Sequence, residues 1–201
     1  VKELSDAEAD EMALIENIQR ADMAPTEEAE AAARILGSRN GDREETARIL
    51  GWNTQKLERR LALMNCSEKV REALNTRKIL LGHAELLAAI KKDMQDIVLG
   101  KMLSTEELVQ VSALKAMLAQ KACMLADAPF DKAECANCQH NSAIQGSLFG
   151  EAIADGHCTN AECFNGKIEQ HLEIVADSLK DEYPVTRVVR PGENFTVLKL
   201  V

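Results

Sequence analysis

Aromatic residues are scarce in this chain of 201 residues. It has four Phe, one Tyr and one Trp, so any core must rest on Leu, Ile, Val, Ala and Met. That composition favours packed helices over a sheet sandwich. Only four prolines interrupt the chain. No apolar run approaches the roughly 18 to 20 residues that a membrane helix requires. The opening stretch "VKELSDAEADEM" is acidic and holds no apolar signal core, so nothing marks the chain for secretion. It begins with Val rather than Met, as a piece of a longer protein would. A cytosolic setting is then expected, and disulfides are disfavoured there.

Net charge is −9, which taken alone argues against a nucleic-acid partner. The charge is uneven, however. Residues 1–38 carry 3 basic and 10 acidic side chains, and residues 79–201 carry 11 and 17. Between them, residues 39–78 carry 10 basic and 6 acidic, a basic window of net +4 in an acidic chain.

Helical periodicity runs through most of the chain. Apolar residues at helical spacing cover 6–19. Pro25, Glu27 and Glu28 then suit the first turn of a helix that ends at Gly37. Asp42 and Glu45 form a capping-box pattern before "REETARIL", which stops at Gly51. "NTQKLERRLALM" follows, and further helices are expected at 67–75, 82–98, 104–125 and 163–182, with Ser104 or Thr105 as a helix start. The tail "VTRVVRPGENFTVLKLV" has two β-branched runs about a turn signal and reads as a small hairpin.

The basic window has the shape of a helix-turn-helix. Ala47 stands four residues before Gly51, where two helices cross closely and a small side chain is needed. Gly51 permits a left-handed turn, and Leu57 would lock the second helix onto the first. With Leu50, Leu57 and Leu61 inward, the second helix turns out Asn53, Thr54, Gln55, Lys56, Arg59 and Arg60. Those groups, with Arg43, suit base edges and phosphates. On spacing alone, a plain αα-hairpin with a solvated basic face stays open beside the DNA-reading one. Trp52, in the turn, reads as a packing residue, with stacking near a DNA backbone the alternative. His83 reads as a helix-start residue whose hydrogen bonds stabilise its junction.

Four of the six cysteines form Cys135-x-x-Cys138 and Cys158-x-x-x-x-Cys163, with nineteen residues between the pairs. A redox pair would want an α/β setting and leaves Cys158 and Cys163 unexplained. A disulfide frame fits the number of cysteines but not the compartment. Zinc accounts for all four, as two knuckles closing round one tetrahedral ion. An iron–sulfur cluster is a further alternative, and His140 or His157 could replace a cysteine, His157 being better read as a residue that supports a ligand from behind or as a surface residue. A closed four-cysteine site leaves no open position for substrate, so its role would be structural. Cys66 and Cys123 are expected on helices, as small core residues.

Taken together, these readings give a mainly α chain. A helical bundle with a helix-turn-helix precedes a small lobe stapled by zinc on four cysteines, with the C-terminal hairpin. The expected units are 1–38, 39–126 and 127–201.

Three linked blocks carry a resemblance. "ENIQRADMAPTEEA" (16–29), the helix-turn-helix, and "SEKVREALNTRKILLGHAELLAAI" (67–90) resemble the ParB family of partition proteins in order and spacing. "LSTEELVQVSALKAML" looks like the family's closing helix, so the resemblance covers roughly residues 12–120. The cysteine segment, with His140, Asn141, Gln145, Leu148, Phe149, Thr159 and Asn160, is similar to the variant found in ParB-related, ThiF-related gene cassettes.

The resemblance implies binding to a palindromic, centromere-like duplex site, a homodimer, a ParA-type ATPase as partner, and a cytoplasmic place on nucleoid or plasmid. Some relatives repress transcription instead. The family also implies CTP and Mg2+, with Glu16 and Asn17 facing the magnesium ion and triphosphate and Arg20 a phosphate. The family's other nucleotide block would lie before residue 1, so these residues supply half a site, and CTP hydrolysis by residues 1–201 is not expected. A plain ion pair between Glu16 and Arg20 is the simpler reading. No clustered acidic or histidine site supports nuclease chemistry.

Overall fold

Side-chain caps open several of the helices. The computed structural model describes residues 6–18, 23–144, 153–183, 185, 186 and 188. The helices α1 (Asp6–Ile18) and α2 (Pro25–Ser38) come first. Pro25 sits in the first turn of α2, and the Glu27 carboxylate accepts a hydrogen bond from the Ala24 N–H at 3.0 Å. Asp42 accepts from the Glu45 N–H at 2.9 Å and opens α3 (Arg43–Leu50). Asn53 accepts from the Lys56 N–H at 2.7 Å and opens α4 (Thr54–Ala62). Ser67 opens α5 (Glu68–Asn75) in the same way.

Two expected helices differ. The stretch 82–98 is not one helix but two, α6 (Leu81–Ala88) and α7 (Lys92–Leu103). The carbonyls that a continuous helix would use are taken by side chains. Thr159 donates to the Ala89 carbonyl at 2.7 Å, and Gln95 donates to the Ile90 carbonyl at 2.9 Å. The stretch 104–125 yields only α8 (Val111–Lys121). Ser104 ends α7 instead of starting a helix. Its hydroxyl donates to the Lys101 carbonyl at 2.8 Å, and that of Thr105 donates to the Met102 carbonyl at 2.7 Å. Beyond them, the Val109 carbonyl is held by His83.

One apolar cluster joins the first four helices through Ile18, Ala32, Ile35, Ala47, Leu50 and Leu57. A larger one joins α5 to α8 through Val70, Leu74, Leu86, Leu87, Leu99 and Leu114. Gln95 lies buried beside it and is satisfied on both sides. Its oxygen accepts from the Ser67 N–H at 2.6 Å, and its amide donates to the Asn65 and Ile90 carbonyls. Cys66 is 2% exposed, as a small core residue should be, but it stands in the bend after α4 rather than on a helix.

After α8 the chain forms a small mixed lobe. Strand β1 (Cys123–Met124) pairs antiparallel with β2 (His157–Cys158), with Cys123 opposite Cys158. Cys123 is therefore a strand residue, not a helical one. Helix α9 (Ala161–Ser178) follows, capped by Asn160, whose side chain accepts from the Cys163 N–H at 3.1 Å. Phe130 meets Phe164 edge to face at 5.4 Å, and with Ala128 and Cys158 they make the lobe's buried core. The proposed hairpin in "VTRVVRPGENFTVLKLV" falls largely outside the described residues. Among the described residues, no helix is long and apolar enough to cross a membrane.

Candidate nucleic-acid interface and cysteine cavity

The turn between α3 and α4 is built on Gly51, at φ 66° and ψ 26°. There the Gly51 and Trp52 N–H groups close on the Arg48 and Ala47 carbonyls at 3.2 and 2.9 Å. This paired closure is a Schellman turn, and its left-handed residue favours glycine. Ala47 is 3% exposed and Leu57 is fully buried, so the small residue and the locking leucine sit where the sequence places them. Trp52 is half-buried against the first apolar cluster, and the Lys56 ammonium lies 4.2 Å from its ring centre.

Helix α4 presents Asn53, Thr54 and Gln55 to solvent. Asn53, Gln55, Lys56, Arg59 and Arg60 line one open cavity of about 270 Å³, with Leu81 at its edge. The cations are not bare. Arg59 forms a two-pronged pair with Glu85 of α6, Nε to Oε1 at 2.9 Å and Nη2 to Oε2 at 3.1 Å. The Glu85 side chain is 0% exposed. Glu28 of α2 accepts from Arg60 at 2.5 Å and from Lys56 at 3.2 Å. Arg43 pairs with Glu58 at 2.6 Å. The sequence reading missed Glu28, Glu58 and Glu85. Glu28 stands in the quoted "PTEEA" block, but no spacing rule links it to residues 28 and 32 positions away.

His83 holds the base of α6. Its Nδ1 accepts from the Leu80 N–H at 3.0 Å, and its Nε2 lies 2.7 Å from the Val109 carbonyl, to which it must donate. The junction role expected for it is the one observed. Burial lowers its pKa below 6.5, with the Val109 hydrogen bond opposing. Glu16 and Asn17 stand at the end of α1, and Arg20 lies outside the described residues.

The four paired cysteines come from separate places, namely a 3-10 turn ending at Cys135, the loop at Cys138, strand β2, and the first turn of α9. They line one cavity of about 250 Å³, with Phe130, Phe164 and Lys167. All are free thiols. Burial pushes the Cys158 thiol up, and the charges of Cys138, Cys123 and Cys163 add to this. Among the described residues, no three His, Cys, Asp or Glu side chains stand close enough together, as placed, to hold a metal ion. His157 turns away, its Nδ1 2.9 Å from the Ala154 carbonyl. His140 lies on the cavity wall, with Nδ1 3.4 Å from the Ala89 carbonyl. Gln145, Leu148 and Phe149 lie outside the described residues.

A three-block match, a left-handed turn and a helix offering amides and cations define a helix-turn-helix of one kind. Residues 21–122 match the ParB HTH domain model, and the chain belongs to that family. It is 38% identical over 91 residues to a nucleoid occlusion protein of Geobacillus thermodenitrificans, covering 45% of this chain and 32% of that protein. It is 34% identical over 95 residues to a probable chromosome-partitioning protein ParB of Vibrio cholerae, covering 47% of this chain and 32% of that one. The match thus spans about a third of these relatives' length. The fold resembles that of the C-terminally truncated ParB of Caulobacter crescentus solved with the centromeric parS site. That likeness has TM-score 0.51 and 24% identity, over 58% of this chain and 60% of that one.

Proposed function

We propose that this chain is the DNA-reading part of a partition protein and binds a specific, palindromic duplex site of the centromere type as a homodimer alongside a ParA-type ATPase. Residues 39–126 carry the DNA-reading helices, packed on α1 and α2 through one shared apolar cluster, and residues 127–201 form a zinc-stapled lobe. The observation that carries the reading is the exposed start of α4, held rigidly by Ala47, Gly51 and Leu57, in a member of the ParB helix-turn-helix family.

Roles divide by what each side chain touches. Thr54 and Gln55 are exposed at the helix start and suit base edges. Lys56 and Arg43 also pair with carboxylates, Glu28 and Glu58, but stay more exposed than Arg59 and Arg60 and suit phosphates. Arg59 and Arg60 are tied to Glu85 and Glu28, so they hold α4 on its neighbours as well as adding positive charge.

The test is fluorescence anisotropy of labelled duplex DNA across a salt series. Lys56→Ala should weaken binding on all sequences and reduce the salt slope by about 1, through one lost phosphate contact. A slope equal to the parent's would remove Lys56 from the interface.

A further inference from the structure

The cysteine cavity has more built into it than its small core explains. Each sulfur comes from a backbone segment pinned by bonds that use no sulfur. Asn141 donates to the Cys135 carbonyl at 2.9 Å, the Thr159 N–H donates to the His140 carbonyl at 2.9 Å, and Asn160 caps the turn that carries Cys163. Free thiols lining one cavity are soft donors, and soft donors in a set of four select zinc among common divalent ions. The charge also suits an ion. Four thiolates on a divalent cation leave a net −2; the start of α9 brings positive potential to the cavity, and Lys167 lines it paired with Glu134 at 2.7 Å. The thiols stand round the cavity without meeting, so binding an ion requires them to move inward. Binding releases four protons to solvent as the thiols become thiolates.

The same lobe is seated on the helical lobe through Ile153, which is buried in the larger apolar cluster, and through polar contacts around Ala89. The Thr159 hydroxyl donates to the Ala89 carbonyl at 2.7 Å, the His140 ring faces that carbonyl, and Lys91 pairs with Glu162. Ala89 closes α6, and α6 carries the Glu85 that holds Arg59 of α4.

We propose that Cys135, Cys138, Cys158 and Cys163 bind one zinc ion, and that the filled lobe braces the turn after α6 through Ala89, steadying the recognition helix. The metal half stands apart from the DNA reading, and the bracing half rests on it.

Metal content and cobalt spectra of the purified chain test the first half. Parent protein should take up about one Co2+ per chain with the intense visible bands of tetrahedral thiolate, displaced by zinc. Cys135→Ser and Cys158→Ser should each lose that spectrum while the helical signal of 6–121 persists. No spectrum in the parent, an unchanged one in both variants, or bound iron with broad visible absorption would overturn the zinc assignment.

Thr159→Val tests the second half, because it removes the bond to Ala89 and leaves every sulfur. It should keep the cobalt spectrum. Chelation should weaken DNA binding of the parent by about tenfold, a usual size for coupled sites, and change that of Thr159→Val much less. Equal DNA affinity of the parent with and without its metal would refute the bracing and leave the site standing. Absence of DNA binding in the metal-loaded parent would instead count against the functional reading.

Discussion

The recognition lobe and the cysteine lobe are held by different means. The first buries long runs of Leu, Ile, Val and Ala from eight helices and keeps its polar interior paired, Glu85 with Arg59 and Gln95 with three backbone groups. The second has two-residue strands, one aromatic pair and a buried core of Ala128, Phe130, Cys158 and Phe164. A core of the second kind falls short of the entropy of ordering its loops, which is why a cross-link of some sort is expected there.

The contrast can be broken first at Arg59. Arg59→Ala takes the guanidinium from the buried Glu85 carboxylate and should cost about 3 kcal/mol of helical-lobe stability in urea titrations. Adding Glu85→Gln should recover part of that loss. If Arg59→Ala costs nothing, the pair is not structural and Arg59 is free to serve DNA alone.

Gln95→Leu comes next. It strands the Ser67 N–H and two carbonyls and should cost about 2 kcal/mol, with the cysteine lobe's metal content unchanged. A matched loss of both would mean the lobes fold as one unit.

A pH titration gives a smaller effect. The folded pKa of His83 is depressed below 6.5 by burial. Above that value neither state holds the proton, so its contribution is constant. Below it the unfolded chain takes the proton first, and stability falls until the folded pKa is passed. His83→Gln should flatten this slope near pH 6. A slope that persists unchanged assigns it to another group.

The smallest effect is one of reactivity. Burial pushes the Cys66 thiol up to about 12, and the thiol donates to the Ala84 carbonyl. In metal-free native protein, alkylation should reach exposed Cys163 in the first turn of α9 long before Cys66. Equal rates, read by mass spectrometry, would mean the helical core opens as readily as the cysteine lobe.

Sequence legibility divided along the same line. Local signals gave the helical lobe its elements, since caps, Gly51 and apolar spacing act within a turn or two. They failed where distant groups intervened. Thr159 and Gln95 claim the carbonyls that would have joined α6 to α7, and His83 claims Val109 before α8. In the interface, the exposed face of α4 was legible, while the carboxylates that tie down its arginines came from α2 and α6. In the cysteine lobe, spacing pointed to the four thiols that share a cavity. The strand pairing of Cys123 with Cys158 left no periodic trace, because two residues are too few to alternate.

Reading of a duplex sequence by α4 is open to direct measurement. Selection of bound sites from random duplex DNA tests it most directly, run in parallel on the parent and on Gln55→Ala. The parent should select a palindromic site, with preference relaxed at one base position of each half-site in the variant. Recovery of no preferred sequence by the parent, or of the same preference at the same strength by the variant, would contradict it.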